Sequence, residues 1–443
     1  MRLVCTLFFV IAHLLRLGVA QRVFAHVIVG NNGAYDKARW ISDIRIAKAA
    51  GIDGFVLNMG TPWRGTIETQ VNLAFQASNE VADEFKLFFA FDYEGGSQGA
   101  WPAADVKTAL SSYIENYSYA KHPYTRGQNT GKAIVSTFEG SDNVGDWASI
   151  KAQFSSRGIY FMPEYTSRDP NWHRNWLNTI DGVFSWNMWP NGPNNMDTNP
   201  ATDPDVAWKG VTGQYMMGVS PWFFTDLPQY GKRRLWRGDD LWHLRWEHVF
   251  EIKPQFVQIV TWNDFGESHY VGPIFDAGIP NAPEGSAKWY VDNMPHDGWR
   301  ALLPHYIATY KNGGVEPIVV TEKLSYWYRI YPAASNPNGV VCNAPWQTTF
   351  SPATCIQDKI FFTALIKSLP AQVSVQIGSN SPTTFQATKT GLNHFSQDFN
   401  GQSGAVTVKI IRNGATVVQG LGKQIMSSPG SSPNNYNAWV GSA

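Results

Sequence analysis

Eight short apolar runs recur along the chain, most of them followed by a stretch with helical spacing. They are Val23–Gly30, Gly54–Gly60, Leu87–Tyr93, Ala133–Gly140, Gly158–Tyr165, Gly182–Met188, Tyr215–Phe224 and Phe256–Thr261. Runs this apolar, rich in β-branched and aromatic residues, read as strands buried on both faces, as in a parallel sheet. Between the first two, Asp36–Ala50 places Trp40, Ile41, Ile44 and Ala47 at helical spacing and is closed by Gly51. Helices are likewise expected over Ile67–Asp83, Ala103–Ser118, Asp146–Phe154 and Leu241–Ile252. Eight buried strands alternating with helical material predict an α/β chain, a (β/α)8 TIM barrel spanning residues 21–314.

Beyond the barrel the pattern changes. Trp299–Asn312 reads as a helix broken by Gly313-Gly314. Val319–Tyr331, Lys359–Ile366, Gln372–Ile377, Ala405–Ile411 and Thr416–Gln419 are then short strand-like runs between Asn, Pro, Ser and Gly clusters. Residues 315–443 are therefore expected to form an all-β, sandwich-like accessory domain. Met426–Ala443 reads as a loose tail that Trp439 could dock.

The first twenty residues carry Arg2, an apolar run over Leu3–Leu15 and the small residues Gly18-Val19-Ala20. That order predicts a cleaved secretory signal, and the apolar run is too short to span a bilayer. Secretion to the extracellular space or cell wall makes sense of the cysteines: Cys5 leaves with the signal, and Cys342 and Cys355 remain as an expected disulfide. Asn116-Tyr117-Ser118 is a glycosylation sequon. Lys+Arg and Asp+Glu both total 35, a neutral balance that gives nucleic acid or an anionic membrane no purchase. A monomer is expected, with no cofactor.

The strand ends carry the chemistry. Read at their C-terminal ends, the runs offer Asn58, Asp92 with Tyr93, Glu139, Glu164 with Tyr165, Trp186 with Asn187, Trp222, and finally Trp262-Asn263-Asp264-Phe265-Gly266-Glu267; His26 lies inside the first run. Carboxylates with indoles on one rim describe a glycoside hydrolase: acids move protons and flat rings carry the apolar face of a sugar. Asp264 and Glu267 sit three apart, so on a regular strand they would point to opposite faces, and Gly266 is expected to supply the turn that brings them together. The longer Glu267 side chain is expected to be the general acid and Asp264 the base. Some of Trp186, Trp189, Trp222 and Trp262 are expected to be ring platforms.

Two rival motifs carry less. Gly95-Gly96-Ser97-Gln98-Gly99 matches an esterase nucleophile elbow in letters, but the polar Asp92, Tyr93 and Glu94 intervene after the apolar run and Trp101-Pro102 follows. His243, His248, His269 and His296 show no zinc-binding spacing, so no metal is expected.

Four stretches, VFAHVIVG, FFAFDY, DGVFSWNMWP and TWNDFGESHYVGP, resemble glycoside hydrolase family 71, the fungal secreted α-1,3-glucanases or mutanases. The resemblance runs from about Val23 to about Tyr310. It implies a barrel with an accessory β-domain, hydrolysis of α-1,3-glucan with inversion, and catalysis by Asp264 and Glu267 with Asp92 as a third acid. A barrel glycosidase of another linkage and a non-catalytic glucan-binding wall protein are the alternatives. The retained acid pair argues against the second.

Overall fold

The computed structural model describes residues 21–81, 84–122, 131–190, 202–334, 339–343, 348–428 and 433–443. The signal segment expected over the first twenty residues lies outside them. All eight expected runs form strands of one parallel sheet: β1 (Arg22–Ile28), β2 (Gly54–Thr61), β3 (Lys86–Gly96), β4 (Ala133–Phe138), β5 (Ile159–Met162), β6 (Val183–Ser185), β7 (Tyr215–Val219) and, last in sequence, Phe256–Ile259. The seventh run is shorter than expected because Pro221, which cannot donate to a ladder, ends its pairing. Past it the chain forms an antiparallel hairpin, β8 (Phe224–Leu227) with β9 (Lys232–Leu235), before Phe256–Ile259 follows as β10.

The hydrogen-bonded order is β5-β4-β3-β2-β1-β10-β7-β6. A parallel bridge between Glu164 and Phe184 joins β5 back to β6 and closes the barrel. Helices at Lys37–Ala49, Thr66–Val81, Ala103–Tyr113, Asp146–Gln153 and Leu241–Ile252 pack outside. The first is started by the Asp36 carboxylate, which accepts the Arg39 N–H at 2.7 Å and satisfies an otherwise orphaned donor.

Register fixes which side chains enter the barrel. Partners run Phe24 with Gly54 and His26 with Val56, Val56 with Phe88, Asp92 with Phe138, Ser136 with Met162, and Phe184 with Met216. Phe24 meets Phe88 two strands away at 4.9 Å, and His26 meets Trp186 across the barrel at 5.2 Å. The even-numbered positions of the wall therefore point inward and the odd ones toward the helices.

The C-terminal region holds two four-stranded antiparallel sheets. One orders Gly391–Asp398, Lys359–Ile366, Lys323–Arg329 and Ala438–Ser442; the other orders Thr383–Gln386, Gln372–Ile377, Gly404–Arg412 and Ala415–Ile425. Leu324, Tyr326 and Tyr328 of the first meet Val373, Val406 and Val408 of the second in a shared core. The tail is not loose. Ala438–Ser442 pairs with Lys323–Arg329, and Trp439 packs beside Tyr326 and Tyr328; residues 429–432 of the expected tail lie outside the described residues. The other face of this sheet continues the barrel core: Trp327, Phe361 and Val440 join Trp299, Leu302 and Tyr306. Cys342 and Cys355 form the expected disulfide, their Cα atoms 6.6 Å apart.

Candidate active site

The loop after β10 builds the centre of the barrel mouth. The Trp262 N–H donates to the His26 carbonyl at 2.7 Å, continuing the β1 pairing past the end of the strand. The chain then turns through Asn263, whose side chain accepts the Ile28 N–H at 2.8 Å and donates to the Ile28 carbonyl at 2.9 Å. The Asp264 N–H donates to Thr261 Oγ1 at 2.8 Å, and the Glu267 N–H donates back to Asp264 Oδ1 at 3.0 Å, closing a turn that brings both carboxyls to one side. The left-handed residue here is Ser268, at φ 62°, not Gly266. Gly266 sits in a tight place: a Cβ there would lie 3.1 Å from the Pro280 ring and 3.2 Å from the Leu227 side chain.

Two further groups converge on the pair. His269, with its side chain 1% exposed, places Nε2 3.1 Å from Glu267 Oε2 and 3.9 Å from Asp264 Oδ2. Its Nδ1 lies 3.2 Å from Thr261 Oγ1, so a neutral ring accepting the threonine hydroxyl can donate Nε2–H to Glu267. Lys232, on the hairpin strand β9, sets Nζ 2.5 Å from Glu267 Oε1. Burial alone would raise the Glu267 carboxyl; the His269 hydrogen bond and the Lys232 charge overcome it and hold the group at about 2. Asp264 is moved the other way, raised by burial and by the charge of Glu267. Two carboxyls three residues apart thus carry opposite tendencies, one to stay ionised and one to keep its proton.

Around the wall, the inward positions carry more polar groups. Asp92, near Asn58, is raised by burial against the pull of the Glu94 and Gly95 N–H groups and the Asn58 amide. His26 is buried and held neutral, its pKa lowered to about 3 by burial and by His269, with Nδ1 2.8 Å from the Gln258 amide nitrogen. Trp186 stands half-buried between Phe138, at 5.0 Å, and Phe184, at 5.8 Å. Glu139 and Glu164 sit on the β4–β5 side, with Asn187 beside them.

Not every expected rim residue reaches the mouth. Tyr93 and Tyr165 are odd-numbered and point outward: the Tyr93 ring fills the space where a Cβ on Gly140 would stand, and Tyr165 packs 5.9 Å from Trp172. Trp262 is 1% exposed and donates Nε1–H to Asp43 at 2.9 Å, outside the barrel wall. Trp222 is 2% exposed, under the Arg329 guanidinium at 4.1 Å, with Nε1–H donating to the Tyr436 carbonyl at 3.1 Å. Trp189 is nearly as buried but edges a cavity at the mouth. The Asn263 side chain is occupied by the Ile28 backbone at the end of β1 and by Asn32. The expectation of ring platforms therefore fails for Trp222 and Trp262, whose hydrogen-bond partners lie on other elements. Lys232, His269 and Gln258 were missed; His269 follows Glu267 by two residues, but nothing local announces Lys232.

Asp264, Glu267 and His269 each offer a donor atom, and these three atoms lie within 4.8 Å of one another. Lys232 already brings a positive charge to Glu267, which lessens the demand for a cation there. The Asn116 amide oxygen of the sequon accepts the Ser118 N–H at 2.9 Å, and the Ser118 hydroxyl donates to Asn79. The serine of the would-be elbow, Ser97, donates its N–H to the Thr61 carbonyl where β3 still runs beside β2, so no strand-to-helix turn presents it.

The family model described as Glycosyl hydrolase family 71 matches residues 19–443. A mutanase of Penicillium rubens is 33% identical over 428 residues, covering 95% of this chain and 88% of that one. A glucan endo-1,3-alpha-glucosidase of Schizosaccharomyces pombe is 34% identical over 460 residues, covering 100% of this chain and 99% of its own. An ascus wall endo-1,3-alpha-glucanase of the same yeast is 29% identical over 308 residues, 66% of each chain.

Proposed function

The chain belongs to glycosyl hydrolase family 71, and from that premise we propose that it is a secreted enzyme that hydrolyses α-1,3-glucan with Asp264 and Glu267. The observation that carries the chemistry is the convergence of this pair with His269 and Lys232 at the mouth of the barrel, where burial and Glu267 push Asp264 up while His269 and Lys232 hold Glu267 down. Asp264, whose burial and whose neighbour Glu267 favour its protonated form, gives its proton to the leaving glycosidic oxygen. Glu267, kept ionised by Lys232 and His269, is the carboxylate that faces the developing positive charge at the anomeric carbon and activates water. His269 and Lys232 orient and charge Glu267 rather than react. Asp92, on the opposite arc of the wall, positions substrate or water. Secretion agrees with the expected signal, and no helix among the described residues is long and apolar enough to cross a membrane.

Inversion is the stereochemistry that the family resemblance implies. One observation favours a second reading: an oxygen of each carboxyl lies within 4.8 Å of the other, whereas inverting pairs stand roughly 6.5–9.5 Å apart and retaining ones about 5–5.5 Å. Proton NMR of the first products separates the two, since β-anomer from the α-linked substrate marks inversion and α-anomer marks retention. The activity itself is tested by reducing-sugar release from insoluble α-1,3-glucan, with starch, cellulose and β-1,3-glucan as controls. Release from a control polymer alone assigns another linkage. Binding without release from any of them describes a lectin.

A further inference from the structure

The arc of the mouth made by β4, β5 and β6 encloses a cavity of about 200 Å³ that the Asp264–Glu267 pair does not line. Its walls include Phe138, Glu139, Glu164, Trp186, Asn187 and Trp189. A second cavity, of about 360 Å³, shares Thr166, Ser167 and Asn187 with it and continues past Arg168 and Trp208. Pockets for drug-sized ligands run to roughly 300–1,000 Å³, so the first space suits one pyranose ring and the two together a short run of sugar units.

The polar side of the smaller cavity is built with care. Glu139 follows β4 in the left-handed region at φ 48°, where a non-glycine residue is uncommon and needs support. Glu164 gives that support: its Oε2 accepts the Glu139 N–H at 3.2 Å and its Oε1 the Thr166 N–H at 2.8 Å. The Glu139 carboxylate in turn accepts the Ser167 N–H at 2.9 Å and the Ser167 hydroxyl. Glu139 is partly open, while Glu164 shows no surface to solvent, so any ligand meets Glu139 and not Glu164.

Resting on the hydrolase reading above, we propose that this cavity is a glucosyl subsite beside the acid pair, with Trp186 as its ring face, Glu139 as its hydroxyl acceptor and Glu164 as the positioning residue beneath. Two acids this close in a dry wall do not both ionise cheaply. Burial and the Glu139 charge push Glu164 up to about 8, so it is neutral at ordinary pH. The other groups that act on the pair are Glu94, Arg168 (itself paired to Asp142 at 2.8 Å) and, from the outer side of the wall, the Tyr165 phenol. When pH rises past about 8 a second negative charge forms beneath Glu139, its seat is disturbed, and sugar binding weakens.

The test is calorimetric titration of a soluble α-1,3-linked glucotetraose into the full-length Asp264→Asn protein, alone and with a second substitution. Trp186→Ala or Glu139→Gln should raise Kd about tenfold or more, a loss typical of one well-placed ring or charged hydrogen bond. Glu164→Ala should weaken binding at neutral pH. Glu164→Gln, which mimics the neutral acid, should restore it and abolish the weakening above pH 8. Unchanged Kd in both Trp186→Ala and Glu139→Gln overturns the subsite. Persistent alkaline weakening in Glu164→Gln overturns the role of Glu164. If the same variants weaken a tetraose of another linkage while the α-1,3-linked one does not bind, the subsite stands and the α-1,3 reading falls.

Discussion

Lys232 reaches Glu267 from 35 residues away in sequence and helps hold it ionised, although neither residue's neighbours would announce the other. With Asp264 the proton donor and Glu267 the carboxylate, Asp264→Asn and Glu267→Gln should each lower kcat by about two to four orders of magnitude with Tm little changed, because general acid–base groups contribute on that scale. Steady-state kinetics with circular dichroism checks both halves; near-normal rates in both variants would sink the mechanism. Lys232→Met tests the electrostatics. Without the ammonium, the Glu267 carboxyl rises from about 2 toward the ordinary range. The reaction needs Glu267 ionised, so rate is lost as pH falls through this raised value. The acidic limb of kcat/KM should therefore shift to higher pH, while the same limb in the parent lies lower. An unmoved limb means that Lys232 does not govern Glu267.

The hairpin β8–β9 is the element through which the rest of the chain touches this charge. Its strand β9 pairs in parallel with Val341–Cys342, Arg234 opposite Val341 and Leu235 opposite Cys342, so the disulfide loop leans on the strand that carries Lys232. From the sequence alone, both cysteines lie so far past the barrel that reduction is expected to leave hydrolysis largely intact. The pairing changes that expectation. Reducing Cys342–Cys355 should cost on the order of 2–3 kcal/mol for so short a loop and should also lower kcat, because β9 loses the strand at its edge. Activity and melting with and without reductant decide it; a lower Tm with unchanged kcat returns the disulfide to a purely structural role.

At the scale of the whole molecule, the β-sheets complete the barrel rather than trail it. Arg329 and Asp239 form an ion pair at 2.5 Å with both side chains 2% exposed, and Arg329 also covers the Trp222 ring. The Trp327 indole donates to the Asp239 carbonyl at 2.8 Å, and the tail returns Asn437 to Tyr270 at 3.2 Å. Removing one member of a buried pair strands the other, so Arg329→Ala should cost about 3–5 kcal/mol and lower Tm by many degrees. A chain ending at Gly314 would bare Trp299, Leu302 and Tyr306 where Trp327 and Val440 now pack, and should be lost to aggregation or melt far earlier. A soluble, fully active chain of that length would show that the β region is a dispensable appendage.

By itself the sequence determined the barrel, the all-β character of the C-terminal region and the loop that bears Asp264 and Glu267. These rest on local signals: apolar runs of strand length, helix starts such as Asp36, and acids placed directly after a buried strand. It did not determine which rim residues face a ligand. Side chains alternate across a strand, so a one-residue offset separates Asp92 and Trp186, which enter the mouth, from Tyr93 and Tyr165, which do not. Nor did it tell a platform from a core ring. Trp222 and Trp262 follow strand ends as Trp186 does, but Arg329 and Tyr436 claim one and Asp43 the other. The tertiary structure alone decided these uses, and with them the charge that Lys232 and the hydrogen bond that His269 bring to Glu267. Burial and ionisation depend on partners distant in sequence, which meet only when register and packing bring them together.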